Sequence, residues 1–223
     1  MSTGKFIVIE GLDGSGKATQ TKLICEKLKK KHKKVCQLSF PDYNEPSSAL
    51  VRMYLNSEFG DSPDDVNVYA ASSFYAVDRY ASYKRFWKDK YEGGQTIVAD
   101  RYTTSNAIYQ LCRLDREDWD EYIEWMEDYE YGKLELPRPD LVVYLDMQVD
   151  VSQMLIQERY NGDDSKKDLH EKDVEFLKKC REAAMYSAKK LGWKVVNSSE
   201  NGGPKPIEEI NKAVEILIEQ NVV

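Results

Sequence analysis

The segment that most constrains this chain is G-L-D-G-S-G-K-A-T at residues 11 to 19, which follows directly on the apolar run Phe6 to Ile9 and opens a helical pattern containing Leu23, Ile24 and Leu28. A strand that turns through glycines into a helix is the local geometry of a phosphate cradle. Gly11, Gly14 and Gly16 permit tight turns whose N–H groups converge on phosphate oxygens, and the helix N-terminus adds positive potential. Lys17 then reaches the β- and γ-phosphates of a nucleoside triphosphate. A chance glycine-rich turn would not combine this spacing with the lysine and the strand-to-helix context. The triphosphate-binding set is therefore Gly11, Leu12, Asp13, Gly14, Ser15, Gly16, Lys17, Ala18 and Thr19.

Further short apolar runs at Thr96 to Ala99, Leu141 to Leu145 and Trp193 to Val196 alternate with longer helical patterns, and a strand is expected over Val35 to Phe40, ahead of Pro41 and Asp42. Such alternation predicts an α/β fold: a five-stranded parallel sheet with helices on both faces. Ile207, Ile210, Val214, Leu217 and Ile218 recur on one face of the last helix and are assigned to the core. The stretch from Asp64 to Tyr91 lacks Pro and Gly and repeats aromatics at Tyr80, Tyr83 and Trp87, which predicts one long helix. Lys27 to Lys34 is a cationic run at a helix C-terminus, where it offsets the dipole. Asn161 to Lys167 is polar, contains Gly162, and marks a candidate lid.

A length of 223 residues with 41% hydrophobic content suits one domain over residues 1–223. The net charge of -7 argues against a broad nucleic-acid surface and for a small-molecule partner. Cys25, Cys36, Cys112 and Cys180 are far apart in sequence, without zinc or redox spacing, and read as free thiols in a reducing compartment. No apolar run is long enough to span a bilayer, and no signal-peptide core follows Met1, so a cytoplasmic location away from the membrane is expected.

Ala18 stands where the strict phosphate-loop pattern has a Ser or Thr whose hydroxyl ligates magnesium, and Thr19 comes one residue later. In this the chain resembles nucleoside monophosphate kinases such as adenylate kinases, which turns the reading away from signalling GTPases. Magnesium is then held mainly by phosphate oxygens and water, with a strand-end aspartate nearby. Asp100 and Asp146 both end strands; Asp100 is preferred because Arg101 follows it, and Asp146 is read as a cap or turn residue.

The segment D-R-Y-T-T-S-N-A-I-Y-Q at 100 to 110 resembles the thymidylate kinases, which phosphorylate dTMP with ATP, and the resemblance runs over nearly the whole chain. I-E-G-L-D-G-S-G-K at 9 to 17, F-P at 40 to 41, the aromatic-to-arginine segment ending at Arg79, and P-D-L-V-V-Y-L-D at 139 to 146 carry it in order. The resemblance implies a P-loop kinase fold with a short lid at about 159–171, Mg2+ as cofactor, ATP as phosphoryl donor, dTMP as acceptor on the way to dTTP, no nucleic-acid or membrane partner, and a homodimer. It implies that Tyr75 stacks on the base and Arg79 meets its O4 edge. The bland alternative makes Tyr75 core and Arg79 half of a surface ion pair. It further implies Arg101 at the monophosphate, Asn106 at the base edge, Tyr109 against the 2′ position and Asp13 near the acceptor's 3′-hydroxyl, with Phe40, Tyr43 and Ser105 completing the acceptor site. Capping and packing compete for Asn106 and Tyr109.

The chain departs from the family at two points. Tyr43 stands where many members carry an arginine after F-P, so that charge is either supplied by Arg52 or absent. The phosphate loop contains no arginine and the lid reads D-L-H-E at 168 to 171 instead of D-R-x-E, so the lid cations Arg159, Lys166 and Lys167 are the candidates. The catalytic set is thus Lys17, Arg101, Arg159 and Lys166, with Asp100 for the metal. The rival readings are a related kinase with another nucleotide or nucleoside acceptor, and a nucleotide-dependent switch.

Overall fold

The computed structural model describes residues 3–31, 33–163 and 173–222. At its centre β1 (Phe6–Gly11), β2 (Val35–Ser39), β3 (Thr96–Asp100), β4 (Leu141–Asp146) and β5 (Lys194–Asn197) form a parallel sheet in the order β2-β3-β1-β4-β5. All the expected strands are present. Trp193, however, is a buried residue ahead of β5, and Phe40 lies beyond β2, its N–H donating to the Asp100 carbonyl at 3.0 Å. A small antiparallel pair, β6 (Ser199–Glu200) with β7 (Gly203–Pro204), is announced by no apolar run.

Successive strand residues point to opposite faces, and both faces are buried. Ile7, Ile9, Val98, Val143 and Leu145 meet Ile24 and Leu28 of α1 (Lys17–Lys30) and Ile210, Val214 and Ile218 of α9 (Ile207–Asn221). Ile207 does not join them: it opens α9 ahead of the turn that meets the sheet and is 50% exposed. Leu217 is partly buried. Lys27 and Lys31 tie the two helices together through Glu215 and Glu219, each at 2.7 Å.

On the other face Phe6, Val8, Ile97, Ala99, Val142 and Tyr144 meet a layer drawn from α3 (Val68–Ser82), α5 (Asn106–Tyr109), α6 (Trp119–Glu127) and α8 (Val174–Leu191). The remaining helices are α2 (Ala49–Leu55), α4 (Lys88–Glu92) and α7 (Val149–Arg159). The expected long helix begins later than Asp64. Asn67 caps α3 by accepting from the Tyr69 N–H at 2.9 Å, while Asp64 and Asp65 belong to a separate 3-10 turn, Pro63–Asp65. Between α3 and α4 runs a π-helical turn, Tyr83–Trp87, which widens the helix.

Trp87 in that turn is fully buried, its ring 5.3 Å from Phe6 and 4.6 Å from Tyr83. Trp87→Ala is expected to lower stability by ~3–5 kcal/mol in urea unfolding. A loss under about 1 kcal/mol would show that the cluster closes over the space.

The thiols are free, but they are not all apart: Cys112 and Cys180, both buried, bring their Sγ atoms to 3.3 Å. That proximity is tertiary, between the 3-10 turn Leu111–Arg113 and α8, so sequence spacing did not register it. Among the described residues no helix is long and apolar enough to cross a membrane.

Candidate active site

The carboxyl ends of β1, β2 and β3 lie side by side, Ile9 and Ser39 both registering with Asp100, and a cleft opens above them. From β1 the chain turns through Gly14 at φ +78° and Gly16 at φ +86° into α1. A Cβ on Gly14 would stand 2.5 Å from the Ser152 carbonyl oxygen, so α7 rests directly on the loop. The first turn of α1 has neither a side-chain cap nor an acidic residue, which leaves its N–H groups for an anion.

Lys17 is buried; its Nζ donates to the Leu12 carbonyl at 2.8 Å and stands 3.9 Å from Asp13. Burial and then the Arg101 charge push its pKa down, against Asp13, which raises it. Asp13, Gly14, Gly16, Lys17, Ala18 and Thr19 line the cleft. Gly11, Leu12 and Ser15 lie behind it, and Leu12 belongs to the core.

At the end of β3, Arg101 adopts φ +66°, with its N–H on the Ile9 carbonyl at 3.1 Å. Its Nη2 donates to Asp13 Oδ1 at 2.5 Å and to Tyr109 Oη at 3.3 Å, and Tyr109 Oη donates to Asp13 Oδ2 at 3.1 Å. Burial would raise the Asp13 pKa, but Arg101, Lys17 and the Tyr109 hydroxyl hold it below the usual carboxylate range. Burial alone would lower Arg101, yet Asp13 drives it up; burial raises Tyr109, which stays a neutral phenol. Asp100 Oδ1 is buried and without a hydrogen-bond partner among the described residues. Asp146 neither caps nor turns: it receives Arg181 through both oxygens, at 2.7 and 2.8 Å.

The same cleft, of ≈ 300 Å³, is bordered by Phe40, Tyr43, Tyr75, Arg79, Ser105, Asn106 and Arg159 as well as Asp100, Arg101 and Tyr109. Arg79 is no surface ion pair. It is buried, and its Nε and Nη2 grip the equally buried Glu130 at 2.7 and 2.5 Å, which keeps its pKa raised. Asn106 Nδ2 donates to Glu130 at 3.0 Å and to the Ser72 carbonyl at 3.3 Å, so its side chain is not used as a cap, although its backbone N–H closes the 3-10 turn Thr103–Ser105. Tyr75 borders the cleft and also packs its partly buried ring edge-on against Tyr54, the ring centroids 6.5 Å apart. The Ser105 hydroxyl donates to Glu10 at 2.8 Å.

Tyr43 is exposed at the cleft mouth. Arg52 Nη1 donates to the Tyr43 and Glu45 carbonyls at 3.0 and 3.3 Å and to the Ser48 hydroxyl, and Arg52 is not part of the lining. It braces the loop and does not stand in for the arginine that Tyr43 replaces. Arg159 ends α7 exposed, with its guanidinium 5.9 Å from the Tyr160 ring. Lys166, Lys167 and the D-L-H-E run at 168–171 lie outside the described residues, as does most of the expected lid.

The buried acids Glu10, Asp78 and Glu130 organise the site, and sequence reasoning missed all of them. Glu10 accepts from the Tyr102 N–H and the Thr104 and Ser105 hydroxyls, fastening the D-R-Y segment to the root of the phosphate loop. Asp78 accepts from the Asp42 N–H at 2.9 Å and the Ser47 hydroxyl at 2.6 Å, which fixes the loop after Pro41. A charge ending an otherwise apolar strand was the one available signal for Glu10.

A phosphate cradle opening onto an adjoining pocket, with cations between them and a strand-end aspartate beside them, defines a P-loop phosphotransferase. The thymidylate kinase family model matches residues 9–212, and the chain belongs to that family; it is a kinase. A probable thymidylate kinase of Thermococcus gammatolerans is 30% identical, over 99% of this chain and 98% of its own. A thymidylate kinase of Mycobacterium tuberculosis is 29% identical over 82% of this chain and 84% of its own. The fold is shared with the thymidylate kinase structure from Candida albicans, at a TM-score of 0.72 and 23% identity, covering 99% of this chain and 94% of that one.

Proposed function

We propose that the chain transfers the γ-phosphoryl group of ATP to dTMP, giving ADP and dTDP. The observation that carries this reading is the continuity of the cleft, which runs from the phosphate loop at Lys17, past Arg101, to Tyr75, Arg79 and Asn106. Phe40, Tyr75, Arg79, Asn106 and Tyr109 hold the acceptor nucleoside, and Arg101 holds its phosphate while Asp13 and Tyr109 fix the guanidinium. The acceptor phosphate is already a nucleophile at neutral pH, so no general base is needed. An acceptor oxygen attacks in line as the bond to ADP breaks, and Lys17 and Arg101 balance the charge that spreads over the transferring oxygens. Arg159, and Lys166 from the expected lid at about 159–171, are assigned to add positive charge at the transferring phosphoryl group.

The residues present fit a magnesium ion. Among the described residues Asp100 Oδ1 is a buried oxygen without a partner and there is no cluster of three or more metal-ligating side chains, so Asp100 would hold the ion together with water and phosphate oxygens. When bound, magnesium supplies charge to the donor phosphates. The chain acts as one domain over residues 1–223, as a homodimer, in the cytoplasm.

The test is ADP release from ATP and magnesium across dTMP, dUMP, dCMP, AMP, GMP and thymidine. A clear preference for dTMP, lost in EDTA, is expected. Preference for another acceptor would make the chain a related kinase, and ATP binding without transfer would make it a switch.

A further inference from the structure

We propose that Glu130 is the positioning residue that sets the hydrogen-bond polarity of the base site. By fixing Arg79 as a donor beside Asn106 as an acceptor, it selects a pyrimidine with a 4-oxo group and an N3–H over a 4-amino pyrimidine. The inference rests on the reading that Arg79 and Asn106 meet the base edge.

An ionised carboxylate only accepts hydrogen bonds. Glu130 Oε2 takes Arg79 Nε at 2.7 Å, while Oε1 takes both Arg79 Nη2 at 2.5 Å and Asn106 Nδ2 at 3.0 Å. The paired bonds lock the guanidinium plane. Nη1 is left with a single long contact, 3.4 Å to the Tyr102 carbonyl, so an N–H remains for the cleft that Arg79 lines.

The amide of Asn106 is fixed by the same logic. Its other neighbour is the Ser72 carbonyl at 3.3 Å, which also only accepts, so both N–H groups of Nδ2 face acceptors and the amide cannot turn over. Oδ1 is thereby held on the opposite edge; among the described residues the Asn106 side chain makes its hydrogen bonds through Nδ2, which leaves Oδ1 for the cleft that Asn106 lines. Glu130 is fully buried, out of reach of bulk solvent. It reaches this point from the π-helical turn Asp128–Lys133 that follows α6, beneath α3 and α5.

A donor beside an acceptor matches thymine or uracil, which present O4 as an acceptor next to N3–H. Cytosine reverses both positions, with a 4-amino donor and a bare N3. A site that must leave buried polar groups unpaired rejects such an analogue strongly.

Glu130→Gln replaces the accept-only group with one that can donate, and so releases the constraint on Asn106. Steady-state kinetics with dTMP and dCMP should show KM for dTMP rising and the dTMP-to-dCMP ratio of kcat/KM narrowing by about tenfold or more, while kcat on saturating dTMP and KM for ATP stay near wild type. Glu130→Asp keeps a charge against Arg79 but falls one methylene short of Asn106. It should narrow the ratio likewise, and it is the variant read if melting shows that Glu130→Gln does not fold. Folded Glu130 variants that keep the wild-type ratio overturn the proposal. Asn106→Ala, run alongside, separates the two readings. If it too leaves KM for dTMP unchanged, the base-edge reading has failed; if it raises KM while the Glu130 variants do not narrow the ratio, only the role of Glu130 has failed.

Discussion

Replacing Lys17 by alanine is expected to lower turnover by ~10²–10³-fold, the size of effect seen when one preorganised charge-stabilising group is lost, without lowering the melting temperature. The two halves of that expectation have separate causes. Among the described residues the Lys17 side chain makes a single hydrogen bond, to the Leu12 carbonyl, and a loose 3.9 Å pair with Asp13. Its pKa is depressed first by burial and then by Arg101, so the folded protein holds this cation against unfavourable surroundings. Removing it relieves repulsion at Arg101 and leaves a void no larger than the lost side chain, so folding loses little. Catalysis loses the cation that faces the triphosphate. Lys17→Arg should not restore activity, because a planar fork does not occupy the space of a buried ammonium group. Turnover near wild type in Lys17→Ala, with ADP release as the readout, would remove Lys17 from the mechanism; a large fall in melting temperature would make it a structural residue.

The sheet was legible because a parallel strand buried on both faces must be apolar without a break, as Phe6–Ile9 and Leu141–Leu145 are. The phosphate loop was legible because its glycines, lysine and flanking elements are local in sequence. Helix limits were less so: Asp64 and Asp65 resemble a first helical turn, but the cap is the Asn67 side chain, and a π-helical turn at Tyr83–Trp87 leaves no mark on an aromatic repeat. What escaped entirely was tertiary. Glu130 finds Arg79 and Asn106 from 51 and 24 residues away in the chain, Asp146 finds Arg181, and Cys112 finds Cys180. A buried acid is indistinguishable from a solvated one until its partner is in place, which is why Asp146 read as a turn residue and Arg79 could read as a surface cation. The same limit applied to Arg52, whose cationic head could be counted in sequence while its commitment to the Tyr43 and Glu45 carbonyls could not.

Arg101 allows activity and backbone strain to be pulled apart at one position. Its φ of +66° lies in the left-handed region, where a residue with a Cβ costs about 1–2 kcal/mol. The structure holds it there through the N–H bond to the Ile9 carbonyl and the guanidinium clamp on Asp13 and Tyr109. Arg101→Ala and Arg101→Gly remove the same guanidinium, so both should lose ~10²–10³-fold in dTMP turnover. They should differ in stability. Glycine adopts positive φ freely but gives up more entropy on folding, so Arg101→Gly is expected to exceed Arg101→Ala by about 0.5–1 kcal/mol in urea unfolding. Equal stability would mean that the local backbone relaxes once the clamp is gone and that the strain belongs to the side-chain contacts. Near-normal turnover in either variant would reduce Arg101 to a brace for Asp13. Arg101→Lys sharpens the distinction: a point charge can meet a phosphate, but it cannot also hold Asp13 and Tyr109 with a planar fork. Partial activity with a raised KM for dTMP is therefore the outcome that assigns Arg101 to the acceptor phosphate and its clamp to the precision of that contact.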